Sequence, residues 1–517
     1  MININSINIF KQNDIFCFFT ITIFAIYTTI AIKFVWHDGL SSFASDSANY
    51  MLMGQYLSPW KDASLAIKSL WPEQDFPPLF PLLIAFTGAA HNMIAAHILT
   101  ASFLIIALPL IYIFTRQCFA TNWQALTITF IFAISPSTWM NTLGILSENI
   151  YILISFLVLI LIPKIKLNNT RLSLAIGCLI AFLILTRTIG MAMFAAYIIT
   201  GFFMWKRSEI KITTYFIPIV LVVTINTVAK LFHQSSVPSQ YIKQFKDLVF
   251  GDQLNALIDA WFSSWQFYWV DNLIYPYAIV LTIGSFACFG LLIRLKMQKF
   301  DAVYVIIYLF ILLVWPHPGQ ALRFLYPILA LLFIYSFFFI HTIFNRYLTT
   351  NADKPIALFL LLMAMVVLPS LSFSYNRYKT GESNGFNHIK EFYRIPDLKM
   401  ANANASMQLQ MFNDMKRIEE ITKPNSLILY FEPTYIALLS DRNSQSITFT
   451  NENGLFTVNR VKEADYTYLS RLHPRKTRDE INGLDVQAYI KDYTDILWTS
   501  FSSENNEPVS IFFKNNN

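Results

Sequence analysis

AVYVIIYLFILLVWPHPGQALRFLYPILALLFIYSFFFIHTIFN, residues 302–345, is a run of 44 residues with one formal charge, Arg323. As a single α-helix it would be about 66 Å long, twice the roughly 30 Å hydrocarbon core of a bilayer. The run therefore reads as two membrane-crossing helices that turn at Pro316-His317-Pro318-Gly319, where proline ends one helix and glycine eases the turn. Two other runs read the same way. Trp123 to Pro163 contains only Glu148 and breaks near Ser135-Pro136-Ser137, and Leu172 to Trp205 contains only Arg187 and forms a shorter hairpin. Single spans at roughly 15–32, 91–115, 212–230, 274–293 and 355–371 bring the expected total to eleven. The first of these has no small-x-small cleavage pattern and reads as a retained span.

Composition agrees with this reading. Of the 517 residues 55% are apolar and 14% charged, against about 25% charged in soluble domains, which excludes a soluble enzyme. The net charge of +6 is unevenly placed: residues 1–371 hold 21 basic and 14 acidic residues (+7), and residues 372–517 hold 17 and 18 (−1). The surplus belongs to the membrane part, and no basic, aromatic-interleaved patch for nucleic acid is present. Cys17, Cys118, Cys178 and Cys288 lie in or beside apolar segments without CxxC spacing, so neither a metal cluster nor a disulfide framework is expected.

Basic residues collect on the cytoplasmic side of membrane proteins, and eleven spans with a cytoplasmic N-terminus place thirteen of them in short inner segments, among them Lys206, Arg207, Lys211, Arg294, Lys296 and Lys299. Reading Leu172 to Trp205 as one span would reverse every later loop. The odd count puts the polar C-terminal region outside, together with two long loops, residues 36–90 and 231–273. The expected organisation is a polytopic α-helical membrane domain over 1–371 and a small outer α/β domain over 372–517. The latter has helices near Met400 to Ile421 and Thr434 to Leu439, and strands near 426–431, 446–450, 466–470 and 509–513.

Charges inside apolar runs are costly and so are functional candidates. This topology puts Glu148, Arg187 and Arg323 near the outer ends of their helices, on the face where the first long loop carries Asp46. Two carboxylates and two arginines on one membrane surface suit chemistry on an anionic lipid headgroup. Each also has a simpler reading. An interfacial arginine can be an anchor, Glu148 in Leu-Ser-Glu-Asn a capping-box acid, and Asp46 the N-cap of a helix over 47–57. His317, between two prolines, reads first as a turn residue, and aromatic residues such as Trp261 and Trp265 as an interfacial belt.

Asp46 with Tyr50, Phe76-Pro77-Pro78-Leu79-Phe80-Pro81, Ser147-Glu148-Asn149-Ile150-Tyr151, Leu185-Thr186-Arg187 and Arg323-Phe324-Leu325-Tyr326-Pro327 follow one another in an order that resembles the GT-C superfamily. These are membrane glycosyltransferases that use polyprenyl-phosphate sugars, and the resemblance covers about residues 10–370. It implies that Asp46 is the catalytic carboxylate and that Glu148 is a supporting acid, one that binds a divalent metal in some relatives. It also implies that Arg187 and Arg323 hold the carrier phosphate, with inversion at the sugar carbon. Tyr50, His317, Lys243 and Lys246 are further candidates for contact with substrate. The protein mannosyltransferases of this superfamily carry Asp-Glu in the first loop, whereas Asp46 is followed by Ser47, which argues against protein O-mannosylation. No cofactor or metal is expected, and a divalent cation would enter only through Glu148.

The reading is an inverting glycosyltransferase of a bacterial inner membrane that moves a hexose or pentose from a polyprenyl-monophosphate, for instance undecaprenyl phosphate, to a periplasmic glycan, lipid or protein of the cell envelope. Two alternatives stay open: an O-antigen polymerase or ligase using a diphosphate-linked donor, and a flippase or transporter of lipid-linked saccharides. The second would need polar residues near the bilayer midplane, where this sequence has almost none.

Overall fold

The computed structural model describes residues 4–42, 46–71, 76–119, 121–165, 169–232, 250–266, 274–315, 321–347, 354–447, 460–471, 487–502 and 506–516. Among these, seven helices are long and apolar enough to cross a membrane, and three shorter apolar helices, Asn122–Ile134, Thr170–Thr186 and Phe300–Leu313, stand between them. Two of the three runs break within their described residues, while the turn expected at Pro316-His317-Pro318-Gly319 lies outside the described residues. Asn122–Ile134 stops at Ser135, and Pro136 opens the short buried helix Pro136–Leu143 before Glu148–Leu161 begins. Thr170–Thr186 and Met191–Lys206 are separated at Arg187. Polar caps mark several starts: Asn92, Thr121 and Asn169 accept from Ala95, Gln124 and Leu172 backbone N–H groups at 3.1, 3.3 and 3.0 Å, satisfying donors that a helix leaves open.

Two helices are longer than expected. The first is Ile4–Phe34 and the last Lys354–Glu382, the latter continuing eleven residues beyond Leu371, where hydropathy stops. Close helix crossings depend on small residues: a Cβ at Gly177 would lie 2.8 Å from Pro218 Cα on the helix Ile212–Phe232. Trp261, expected at the bilayer interface, donates its indole N–H to Val280 O at 3.1 Å and so joins two helices.

The C-terminal region folds as a five-stranded sheet. The strands are β1 (Leu427–Tyr430), β2 (Asn443–Ser446), β3 (Tyr466–Ser470), β4 (Thr494–Phe501) and β5 (Pro508–Asn515), in the order β2-β1-β3-β5-β4. β1 runs parallel to β2 and β3, and β5 runs antiparallel to β3 and β4. Helices Leu398–Ile421 and Pro433–Ser440 match those expected. β2 lies three residues earlier than the strand expected at 446–450, whose last three residues fall outside the described ones. β4 was not expected. It is an edge strand whose Ile496 and Leu497 both face solvent, so it lacks the alternation that identifies a half-buried strand. The core under this sheet takes in Leu40, Ala48, Met140 and Leu143 as well as Phe392, Met415, Tyr430 and Phe512, which seats the C-terminal region on the first loop and the adjoining helix ends.

Candidate active site

Four chain segments bring four charges to one point. Asp46 directly precedes the helix Ser47–Tyr56, and Glu148 is the first residue of Glu148–Leu161. Arg187 sits in extended backbone between Thr170–Thr186 and the tight turn Thr188–Gly190. That turn needs glycine at its end, since a Cβ on Gly190 would lie 2.6 Å from the Leu183 carbonyl carbon. Arg323 lies in the short helix Ala321–Leu325, which Tyr308 holds from the preceding helix by donating to Phe324 O at 2.7 Å.

Arg323 is the hinge of the cluster. Its Nη1 meets Asp46 Oδ2 at 2.5 Å, and its Nε donates to Glu148 Oε1. Arg187 Nη1 pairs with the same Glu148 oxygen, and its guanidinium lies over the Phe324 ring, 4.9 Å from the centroid. The side chain of Glu148 is fully buried and that of Arg187 is 7% exposed, while Asp46 at 26% is the most accessible of the four. A buried lone carboxylate is strongly disfavoured, so the two guanidiniums are what allow Glu148 its position. Among the described residues Glu148 Oε2 and Arg323 Nη2 are buried without a hydrogen-bond partner, polar capacity that the cluster itself leaves unused.

The simpler readings fail at three of these positions. Asp46 stands at the N-cap but makes no side-chain cap bond, and its carboxylate turns to Arg323 instead. Ser147 precedes Glu148 without capping its helix, and the Ser147 hydroxyl pairs with Tyr50 Oη at 2.9 Å. Arg187 is enclosed rather than reaching for water. Tyr50 is held edge-on by Phe76 and Phe80, with ring centroids 5.5 and 5.0 Å away, which gives the Phe-Pro-Pro-Leu-Phe-Pro segment a packing role. Burial, reinforced by the charge of Asp46, pushes the Tyr50 phenol up to about 12, so it stays neutral.

The structure thus brings together Asp46, Glu148, Arg187, Arg323 and Tyr50. His317, Lys243 and Lys246 lie outside the described residues. Sequence reading did not single out the groups that hold the cluster in place. Tyr326 donates to Asn149 Oδ1 at 2.9 Å, and Asn149 donates to Thr100 O at 3.2 Å. These ties link the Arg323 segment to the Glu148 helix, and both residues stood inside quoted motifs without any charge to mark them. Both carboxylates of the cluster face guanidiniums. Among the described residues no group of three or more His, Cys, Asp or Glu is arranged to hold a metal.

The chain has the GT-C fold of polytopic membrane glycosyltransferases. It is similar to ArnT from Cupriavidus metallidurans bound to undecaprenyl phosphate, with a TM-score of 0.53, 11% identity, and coverage of 96% of this chain and 98% of that one. It is also similar to the Archaeoglobus fulgidus oligosaccharyltransferase in complex with zinc and sulfate, with a TM-score of 0.52, 13% identity, and coverage of 95% and 73%. No protein-family model matches the sequence, and no curated protein matches it.

Proposed function

We propose that the chain is an inverting glycosyltransferase that moves a sugar from a polyprenyl-monophosphate carrier to an acceptor hydroxyl on the outer face of a bacterial inner membrane. The observation that carries this reading is the Arg323 bridge, a buried guanidinium that faces both Asp46 and Glu148 and keeps one nitrogen free. Asp46 is the base for the acceptor proton. It is the most accessible of the four, and a positioned carboxylate supplies about 10² to 10⁴ in rate. Arg187 and Arg323 take the carrier phosphate, which a planar guanidinium binds in bidentate fashion, and Glu148 keeps the two cations in place. In this reading phosphate binding at Arg323 releases Asp46 from its ion pair at the moment a base is needed. The likeness to ArnT, a structure holding undecaprenyl phosphate, supports the carrier class.

We read eleven spans, counting with the seven long helices the three shorter ones and Glu148–Leu161. On this reading residues 372–517 lie in the periplasm, packed against the first loop and the adjoining helix ends of 1–371. The acceptor is a glycan, a lipid or a protein of the cell envelope. Mass spectrometry of envelope lipids and glycans from cells with the wild-type gene, without it, and with Asp46→Asn should show one glycoform present only in the first. Identical profiles in all three would remove the reading. A C-terminal alkaline phosphatase fusion should be active.

A further inference from the structure

The four charges of the site sum to zero, two carboxylates against two guanidiniums, so an arriving carrier phosphate brings one negative charge that they leave uncompensated. A further cation comes from the C-terminal region. Lys390 opens the helix Lys390–Arg394, and its backbone N–H donates to Ser41 O at 2.8 Å. The next residue, Glu391, accepts from the Ser42 hydroxyl at 2.7 Å, Tyr435 donates to Ser42 O at 3.3 Å, and Thr434 donates to Asn49 at 2.9 Å. The C-terminal region therefore grips both sides of the loop that carries Asp46. Lys390 is half-buried as a residue, and its ammonium lies within electrostatic reach of Arg323 and Glu148 and has no hydrogen-bond or ion-pair partner among the described residues.

We propose that Lys390 is the third cation of the site and binds the carrier phosphate together with the two arginines. This rests on the glycosyltransferase reading above. In the transfer, the acceptor oxygen bonds to the sugar carbon as its proton passes to Asp46. The bond from that carbon to the phosphate oxygen breaks, and its electron pair stays on the phosphate, which goes from one negative charge to two. The charge lost at Asp46 reappears on the phosphate, so Lys390 neutralises the site before and after the step. It also makes the C-terminal region part of the active site. Burial, with Arg394 and Arg323 nearby and only partly offset by Glu391 and Glu148, brings the Lys390 ammonium down to about 8. Its contribution to phosphate binding is therefore present below that pH and fades above it.

The test measures the affinity of the full chain in nanodiscs for polyprenyl monophosphate from pH 7.5 to 10, a range in which the phosphate, with its second ionisation near pH 6, does not change charge. Wild type should bind progressively more weakly through this range. Lys390→Arg should keep its affinity throughout, and Lys390→Ala should bind about tenfold more weakly at pH 7.5, the size of one charge-assisted hydrogen bond, with an unchanged melting temperature. Wild-type affinity in Lys390→Ala, or the same pH profile for wild type and Lys390→Arg, overturns the proposal. If Lys390→Ala does not fold, the comparison of wild type with Lys390→Arg decides alone. A wild-type chain that binds no polyprenyl phosphate at any pH overturns the glycosyltransferase reading, and this proposal with it.

Discussion

The helix Phe300–Leu313 has a buried ion cluster near each end, and the two are built differently. At its start Asp301 accepts from Arg294 through both oxygens at 2.7 Å and from Tyr335 at 2.9 Å, with the Arg294 guanidinium over the Phe338 ring. One cation meets one anion, seven residues apart in sequence, and both carboxylate oxygens are used. Beyond its other end Arg323 joins Asp46 and Glu148, partners drawn from the far side of the chain, in a cluster where one carboxylate oxygen serves two arginines and another has no partner. A fully satisfied pair fixes helices against each other. A pair of cations with unused polar atoms is costly to maintain and has capacity for a ligand.

Mutations should separate the two clusters. The largest effect is expected for Asp46→Asn, which keeps shape and removes the carboxylate proposed as the base: turnover in proteoliposomes should fall by about 10² to 10⁴ while the melting temperature hardly moves. Asp301→Ala should do the opposite. It leaves Arg294 buried without its counter-ion, a loss of about 3–5 kcal/mol, visible as a lower melting temperature and yield with unchanged turnover per folded molecule. If Asp301→Ala abolished turnover in folded protein, the contrast between the clusters would be gone. Arg323→Lys keeps the charge and loses the planar fork. Donor affinity should drop about tenfold, the size of one charge-assisted hydrogen bond, and acceptor affinity should stay as it is. Tyr50→Phe deletes only the hydroxyl paired with Ser147 and should cost about 0.5–1.5 kcal/mol of stability, read from a denaturation curve, with a minor change in turnover.

The membrane part was largely legible because a bilayer penalises every charge, so Glu148, Arg187 and Arg323 announced themselves as the sole charges of their runs. The same apolar runs pointed to a break near Ser135-Pro136 and to a hairpin within Leu172 to Trp205, without its position at Arg187. What sequence could not convey was pairing. Arg294 and Asp301 looked like ordinary loop charges because a turn separates them, and nothing in the chain order links Arg323 to Asp46, 277 positions earlier. Lys390 was hidden for a different reason: in a soluble-like region a lysine is unremarkable until its neighbours are known. In the same region β4 carried no pattern, since an edge strand with two adjacent exposed apolar residues violates the period by which strands are recognised.

The last helix, Lys354–Glu382, has 29 residues and is about 43 Å long at 1.5 Å per residue, some 13 Å more than the hydrocarbon layer of a bilayer. Its projecting end is braced: Arg377 donates to Ile395 O at 2.9 Å and to Pro396 O, and lies against the rings of Phe373 and Phe392. The link between the apolar helix and the sheet is thus a braced helix, with Pro369 inside it, rather than a tether. One residue inserted within it would raise everything that follows by about 1.5 Å and swing it by about 100°. The number of residues between Leu371 and Glu382 is therefore a dimension of the molecule, as intolerant of change as a side chain in its core.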